Sequence, residues 1–173
     1  MNKKNPRFIS LKISIMIISD SRNEVTDKSG KILEQRIKDS GHELYEKKFV
    51  KDDINDIKEK LQKIIDSENV NVVILSGGTG LTGRDLTPEV VKKVITKEIP
   101  GFGEIFRHIS YKKIGTSSLQ SRAIGGLAND KFIFALPGSP NACKDAWDEI
   151  LKFQLDSRTK PCNLVDLIPR LLE

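Results

Sequence analysis

Four glycines within seven positions, Gly77, Gly78, Gly80 and Gly83, follow the apolar run Val72-Val73-Ile74-Leu75 and are followed by Arg84-Asp85-Leu86-Thr87-Pro88-Glu89. Glycine permits positive φ and close approach of a ligand to the main chain. A strand that empties into such a loop offers backbone N–H groups to a phosphate or another anion. Arg84 adds a fixed positive charge, and Asp85 adds a carboxylate that would repel phosphate unless a cation lay between them. The hard cation suited to carboxylate and phosphate oxygens is Mg²⁺, held by one or two carboxylates and the substrate. Asp52 and Asp53 follow an earlier strand and offer a second carboxylate; Asp53 also reads as the N-cap of the helix that begins at Ile54. Such a group suits phosphoryl or nucleotidyl transfer, in which positioning and charge neutralisation do most of the catalysis.

Other chemistries fit less well. Gly78-Thr79-Gly80-Leu81-Thr82-Gly83 spells G-x-G-x-x-G, which would suit a nicotinamide-dependent oxidoreductase. That motif needs its helix to open within the glycines and an acidic residue ending the next strand. Here Pro88 delays the helix, and the segment around Glu98 runs into Pro100-Gly101. A P-loop needs Lys-Ser/Thr after its last glycine, where this chain has Arg84-Asp85. No G-x-S-x-G elbow is present for acyl transfer. His42 and His108 are the only histidines and Cys143 and Cys162 the only cysteines, too few for a zinc centre or a disulfide framework. Thr116, Ser117, Ser118 and Ser121, with Arg122, form a hydroxyl-rich loop that suits either the polar edge of a substrate or a simple turn.

The elements that must position these residues alternate. Residues 12–18, 42–50 and 72–75 read as strands, and residues 27–40 and 53–67 as amphipathic helices, the second carrying Ile54, Ile57, Leu61, Ile64 and Ile65 on one face. Thr87 reads as the N-cap and Pro88 as the first residue of a third helix. Pro100-Gly101-Phe102-Gly103 reads as a break before a short helix through Ile105, Phe106 and Ile109. Strands at 121–127 and 131–136 form a hairpin about Ala128-Asn129-Asp130. Pro137-Gly138-Ser139-Pro140 then leads into a last helix containing Trp147. This order predicts one α/β domain over 1–173, a three-layer sandwich with a mainly parallel sheet and a hairpin in its C-terminal half. If the strands are parallel, Ser19-Asp20-Ser21, the glycine loop and Pro137-Gly138-Ser139-Pro140 share one rim, where ligands of open α/β sheets bind.

At 173 residues, with 38% hydrophobic and 31% charged residues, the chain reads as an ordinary soluble domain. Its net charge of +5 is too modest and interspersed to point to nucleic acid. Lys3, Lys4 and Arg7 read as a solvated basic tail, and residues 1–10 and 166–173 as flexible ends. The run Ile15-Met16-Ile17-Ile18 is too short for a signal or a membrane span, so a cytoplasmic protein is expected.

Several segments together resemble the molybdenum cofactor biosynthesis proteins of the MoaB/MogA family. They are Ile18-Ser19-Asp20-Ser21-Arg22, Asp27-Lys28-Ser29-Gly30, Ser76-Gly77-Gly78-Thr79-Gly80, Arg84-Asp85-Leu86-Thr87-Pro88-Glu89, Pro100-Gly101-Phe102-Gly103-Glu104 and Leu136-Pro137-Gly138-Ser139-Pro140. Residues 115–123 and 156–163 resemble the MoaB branch in particular, and the likeness spans roughly residues 10–165. The resemblance implies a molybdopterin-binding domain and Mg-ATP-dependent adenylylation of molybdopterin. The alternative it leaves is a non-catalytic molybdopterin-binding or accessory protein of the same pathway. It places the functional aspartates at Asp85 and Asp52, with Asp53 the adjacent candidate, both serving as Mg²⁺ ligands. Substrate binding falls to Ser19, Asp20, Gly77, Gly78, Thr79, Gly80, Arg84, Ser117, Ser121, Pro137, Gly138 and Ser139. It also implies a homo-oligomer, trimer or hexamer, with no nucleic acid or membrane partner.

Overall fold

The computed structural model describes residues 7–173; Lys3 and Lys4 lie outside the described residues. Apolar strands rich in β-branched and aromatic residues build its centre: β1 (Lys12–Ile18), β3 (Val72–Ser76) and β6 (Lys131–Leu136) are buried on both faces. With β2 (Glu43–Val50), β5 (Ile124–Ala128) and β4 (Lys97–Glu98), they form one sheet of order β2-β1-β3-β6-β5-β4. Pairings from β2 to β6 are parallel, and β6-β5 and β5-β4 are antiparallel. The α/β sandwich with its hairpin is therefore as the sequence reads. Two-residue β4 has no sequence signal of its own; it exists because β5 offers it an edge.

Side-chain alternation along β1 divides the core into two layers. Ile13, Ile15 and Ile17 face α1 (Lys28–Asp39), α4 (Pro100–Ile114) and α5 (Pro140–Ala146), where Trp147 lies fully buried. Met16 and Ile18 face α2 (Ile54–Ile65) and α3 (Thr87–Val94). On α2 the buried residues are Ile57, Leu61, Ile64 and Ile65, the stripe a 3.6-residue period predicts. Gly41 ends α1 with φ +84°, as expected of a glycine stop.

Three expectations need correction. Pro100-Gly101-Phe102-Gly103 is the first turn of α4, because proline at N1 gives up only an N–H that would have had no intrahelical partner. The helix then runs 15 residues to Ile114 instead of forming a short turn around Ile105. Thr87 does not cap α3: Leu86 takes that position with no side-chain hydrogen bond, and Thr87 is buried, facing Gly78. At the chain ends, Ile9 N–H donates to Ser157 Oγ at 3.0 Å, and Ser157 Oγ donates to the Arg7 carbonyl. Residues Val165–Arg170 form a 3-10 turn, with Ile168 and Leu171 against the core, so both expected loose ends are docked where described. Among the described residues no helix is long and apolar enough to cross a membrane.

Candidate functional site

Parallel register brings the strand ends level, Ile18 beside Val50, Ile17 beside Ser76, and Ser76 beside Leu136. The loops after β1, β2, β3 and β6 consequently leave from one rim. Two close approaches lock them together. Gly77, at φ +118°, crosses the end of β1 where a side chain would overlap the Ile18 carbonyl oxygen, and its N–H donates to the Leu136 carbonyl at 3.0 Å. A side chain on Gly138 would sit 3.2 Å from Gly77 Cα. Between these loops and α4 opens a cleft of about 400 Å³, within the range of small-molecule sites.

The glycine loop seats carboxylates as well as offering donors. The position a Cβ would take on Gly78 is 2.9 Å from Asp52 Oδ1, and on Gly80 it is 2.7 Å from Asp85 Oδ2. Asp85 Oδ2 accepts from Thr82 N at 2.9 Å and Thr82 Oγ1 at 2.6 Å. The Thr82 hydroxyl bond holds the Asp85 carboxyl below its ordinary range, helped by backbone N–H groups and Arg122 and opposed by partial burial. Asp85 is thus ionised and oriented.

Asp52 is the contrary case. Its N–H donates to Asp20 Oδ1 at 3.2 Å, while its own Oδ1 is buried without a partner. Burial pushes its carboxyl up, and the nearby charges of Asp85 and Asp20 push further, against a smaller opposing effect of Arg84. Asp53 is employed elsewhere: its carboxylate accepts from Asn55 N at 2.9 Å and Asp56 N at 3.1 Å, capping α2.

A contrast of variants checks this division. Asp53→Ala costs about 1 kcal/mol of stability through the lost cap. Asp52→Asn raises stability at neutral pH. The sign follows from the raised pKa. A folded-state carboxyl that prefers its proton destabilises once ionised, so the gain is present above its folded pKa and disappears below its unfolded one. Urea midpoints at pH 7 and pH 3 read it; a midpoint for Asp52→Asn below wild type at pH 7 would refute the assignment.

Of the other expected residues, Ser19, Gly77, Gly78, Thr79, Gly80, Ser117, Ser121, Pro137, Gly138 and Ser139 line the cleft with Asp85. Ser139 also caps α5, its Oγ accepting from Ala142 N at 3.2 Å. Asp20 and Arg84 form an ion pair beside the cleft. Phe106, Ser110 and Ile114, one helical face of α4 at i, i+4, i+8, were not expected in the wall; extending the helix through Ile114 would have revealed them. Arg22 and Gln120 also line the cleft. Arg122 braces the loop from beneath, donating to the Thr79 carbonyl at 3.4 Å and to the Asp85 carbonyl, and it pairs with Glu89. Cys143 lies buried at Ser76 Oγ, 3.2 Å away, and burial pushes its thiol up to about 11, leaving it unreactive.

No group of three or more His, Cys, Asp or Glu among the described residues could hold a metal. Mg²⁺ takes one or two carboxylates and completes its shell with phosphate and water. The buried, unpartnered Oδ1 of Asp52, destabilised by two neighbouring carboxylates, is the observation that fits a cation here.

A family described as a probable molybdopterin binding domain matches residues 14–157. A protein of Escherichia coli named molybdenum cofactor biosynthesis protein B is 44% identical over 163 residues, covering 94% of this chain and 96% of its own length. One of the same name from Bacillus cereus is 43% identical over 150 residues, covering 86% and 88%. A crystal structure of a molybdenum cofactor biosynthesis protein B superposes with a TM-score of 0.86 at 38% identity, covering 97% of this chain and 98% of that one. The tungsten cofactor synthesizing protein MoaB from Pyrococcus furiosus superposes at 0.77 with 30% identity, covering 95% and 98%.

Proposed function

This chain belongs to the molybdopterin-binding family of molybdenum cofactor biosynthesis proteins, and from that premise and the rim geometry we propose that it adenylylates molybdopterin with Mg-ATP. The observation that carries the reading is the carboxylate pair Asp52 and Asp85, set against Gly78 and Gly80 at the edge of the cleft. A terminal phosphate oxygen of molybdopterin forms a bond to the α-phosphorus of ATP. The bond from that phosphorus to the bridging oxygen breaks, and pyrophosphate leaves.

A phosphate monoester has a second pKa near 6 and is mostly dianionic at neutral pH, so this nucleophile needs no strong base. The chain's own task is therefore binding and alignment. Asp85 and Asp52 would hold Mg²⁺, which when bound offsets the charge of the nucleotide phosphates. Thr82 fixes the Asp85 carboxylate, and Arg122 fixes the backbone on which it stands. Phe106 and Ile114 give the cleft an apolar wall for a flat heterocycle, and Ser117, Ser121 and Gln120 supply hydrogen-bonding edges. The reading places the chain in the cytoplasm as a homo-oligomer, and Ile105 and Phe153, both exposed along one apolar groove with Phe102, Ile150 and Leu164, favour self-association.

Incubation with molybdopterin, ATP and Mg²⁺ should release pyrophosphate and form the adenylylated pterin. Tight pterin binding with no pyrophosphate release would leave the chain a non-catalytic pterin-binding protein.

A further inference from the structure

Arg84, the cation expected to meet phosphate, has 73% of its side chain exposed and is paired with Asp20. Its charge is largely offset before any ligand arrives. Backbone donors of the glycine loop are also partly committed: Gly77 N–H to the Leu136 carbonyl and Thr82 N–H to Asp85. Arg22 is in the opposite condition. It leaves β1 on a turn held by Ser19, whose Oγ accepts from the N–H groups of Ser21 and Arg22, both at 3.3 Å. Its guanidinium lines the cleft, with Nη1 3.3 Å and Nη2 3.5 Å from where a side chain on Gly138 would begin.

Arg36, Arg84, Arg122, Arg158 and Arg170 each hold a carboxylate; among the described residues Arg7, Arg22 and Arg107 hold none, and of these Arg22 lines the cleft. Its Nη1 is buried with no hydrogen-bond partner. A guanidinium nitrogen drawn out of water without a partner is unfavourable, and the planar fork of donors matches the oxygens of a phosphate. The two kinds of charge meet different glycines. Arg22 lies against Gly138, whereas Asp52 lies against Gly78 and Asp85 against Gly80.

We infer that Arg22 binds the phosphate monoester of the pterin substrate at the Gly138 end of the cleft. This deepens the reading above and rests on it. A nucleotide triphosphate brings its own divalent cation and is compatible with the carboxylates at Asp52 and Asp85. A phosphate monoester brings none, is repelled by that carboxylate pair, and needs a protein cation. Arg22 is the unpaired one in the cleft.

The test is calorimetric titration of the full chain, without Mg²⁺ or ATP, using a pterin that carries a side-chain phosphate monoester and the same pterin without it. Arg22→Gln should weaken the phosphorylated pterin about tenfold or more and leave the dephosphorylated one unchanged. Arg22→Lys should recover part of the loss, since lysine restores the charge without the fork. Mg-ATP binding by Arg22→Gln should match wild type, which also shows that the variant is folded. Equal weakening of both pterins, no weakening of the phosphorylated one, or a loss confined to Mg-ATP overturns the inference while the pterin site stands. Failure of the wild-type protein to bind either pterin overturns the proposed function, and the inference with it.

Discussion

Asp85→Asn lowers pyrophosphate release by about 10²–10³-fold, the range for removing one preorganised electrostatic group from a reacting centre. Asparagine keeps the size of the side chain and can still accept from Thr82, so the loop geometry survives. What disappears is a negative charge that Thr82 and the surrounding backbone N–H groups hold in place. With less affinity for Mg²⁺, the variant should need a higher metal concentration for half-maximal rate, and its pterin affinity measured without metal should be unchanged. Raising Mg²⁺ should recover some of the rate. Turnover and metal requirement equal to wild type would remove Asp85 from the site.

The sheet was legible because its signal is dense. Strands β1, β3 and β6 are continuous apolar runs, α2 keeps a clean helical stripe, and the strand–helix alternation implies parallel pairing, which in turn implies a common rim. Errors arose where one residue type serves two purposes. Proline with glycine ends many helices, yet Pro100 starts α4, and a helical glycine is tolerated at Gly103 because it permits close approach to the Ala123 carbonyl. Thr87 before a proline has the form of a cap, but its backbone N–H donates to the Gly78 carbonyl at 3.0 Å and its hydroxyl is buried facing Gly78, away from the α3 N-terminus.

At the site, Asp52 and Asp53 are adjacent in sequence and chemically identical. Only the chain direction separates them: one turns to α2 and caps it, the other turns toward Gly78 and is left unpartnered. Arg22 and Arg84 pose a similar ambiguity. Each follows a strand on the rim, and which is free depends on the long-range pairing of Arg84 with Asp20, separated by 64 positions. No local pattern encodes that. Gly77, Gly78 and Gly80 line the cleft on the rim, and their physical role is broader than a cradle, because Gly78 and Gly80 make room for the acidic groups.

Gly77→Ala tests whether that loop is fixed by backbone contact. At φ +118° an L-residue is strained, and its methyl would overlap the carbonyl oxygen of Ile18. That oxygen cannot move freely: the next residue, Ser19, donates its N–H to the Val50 carbonyl at 2.9 Å, tying β1 to β2 at this point. Gly77 is tied on its other side to Leu136. The strain can therefore be relieved only by breaking strand-end hydrogen bonds, and the expected loss is about 3 kcal/mol. Turnover should fall further than stability alone explains, because any shift of Gly77 carries Gly78 away from Asp52 and loosens the contact with Gly138. Gly101→Ala is the internal comparison. It lies in the first turn of α4 with open space around it, and alanine there should be neutral or stabilising by about 0.5–1 kcal/mol. Urea unfolding of both variants measures the difference; equal midpoints would show that the loop yields without strain and that the crossing over β1 does not hold the site together.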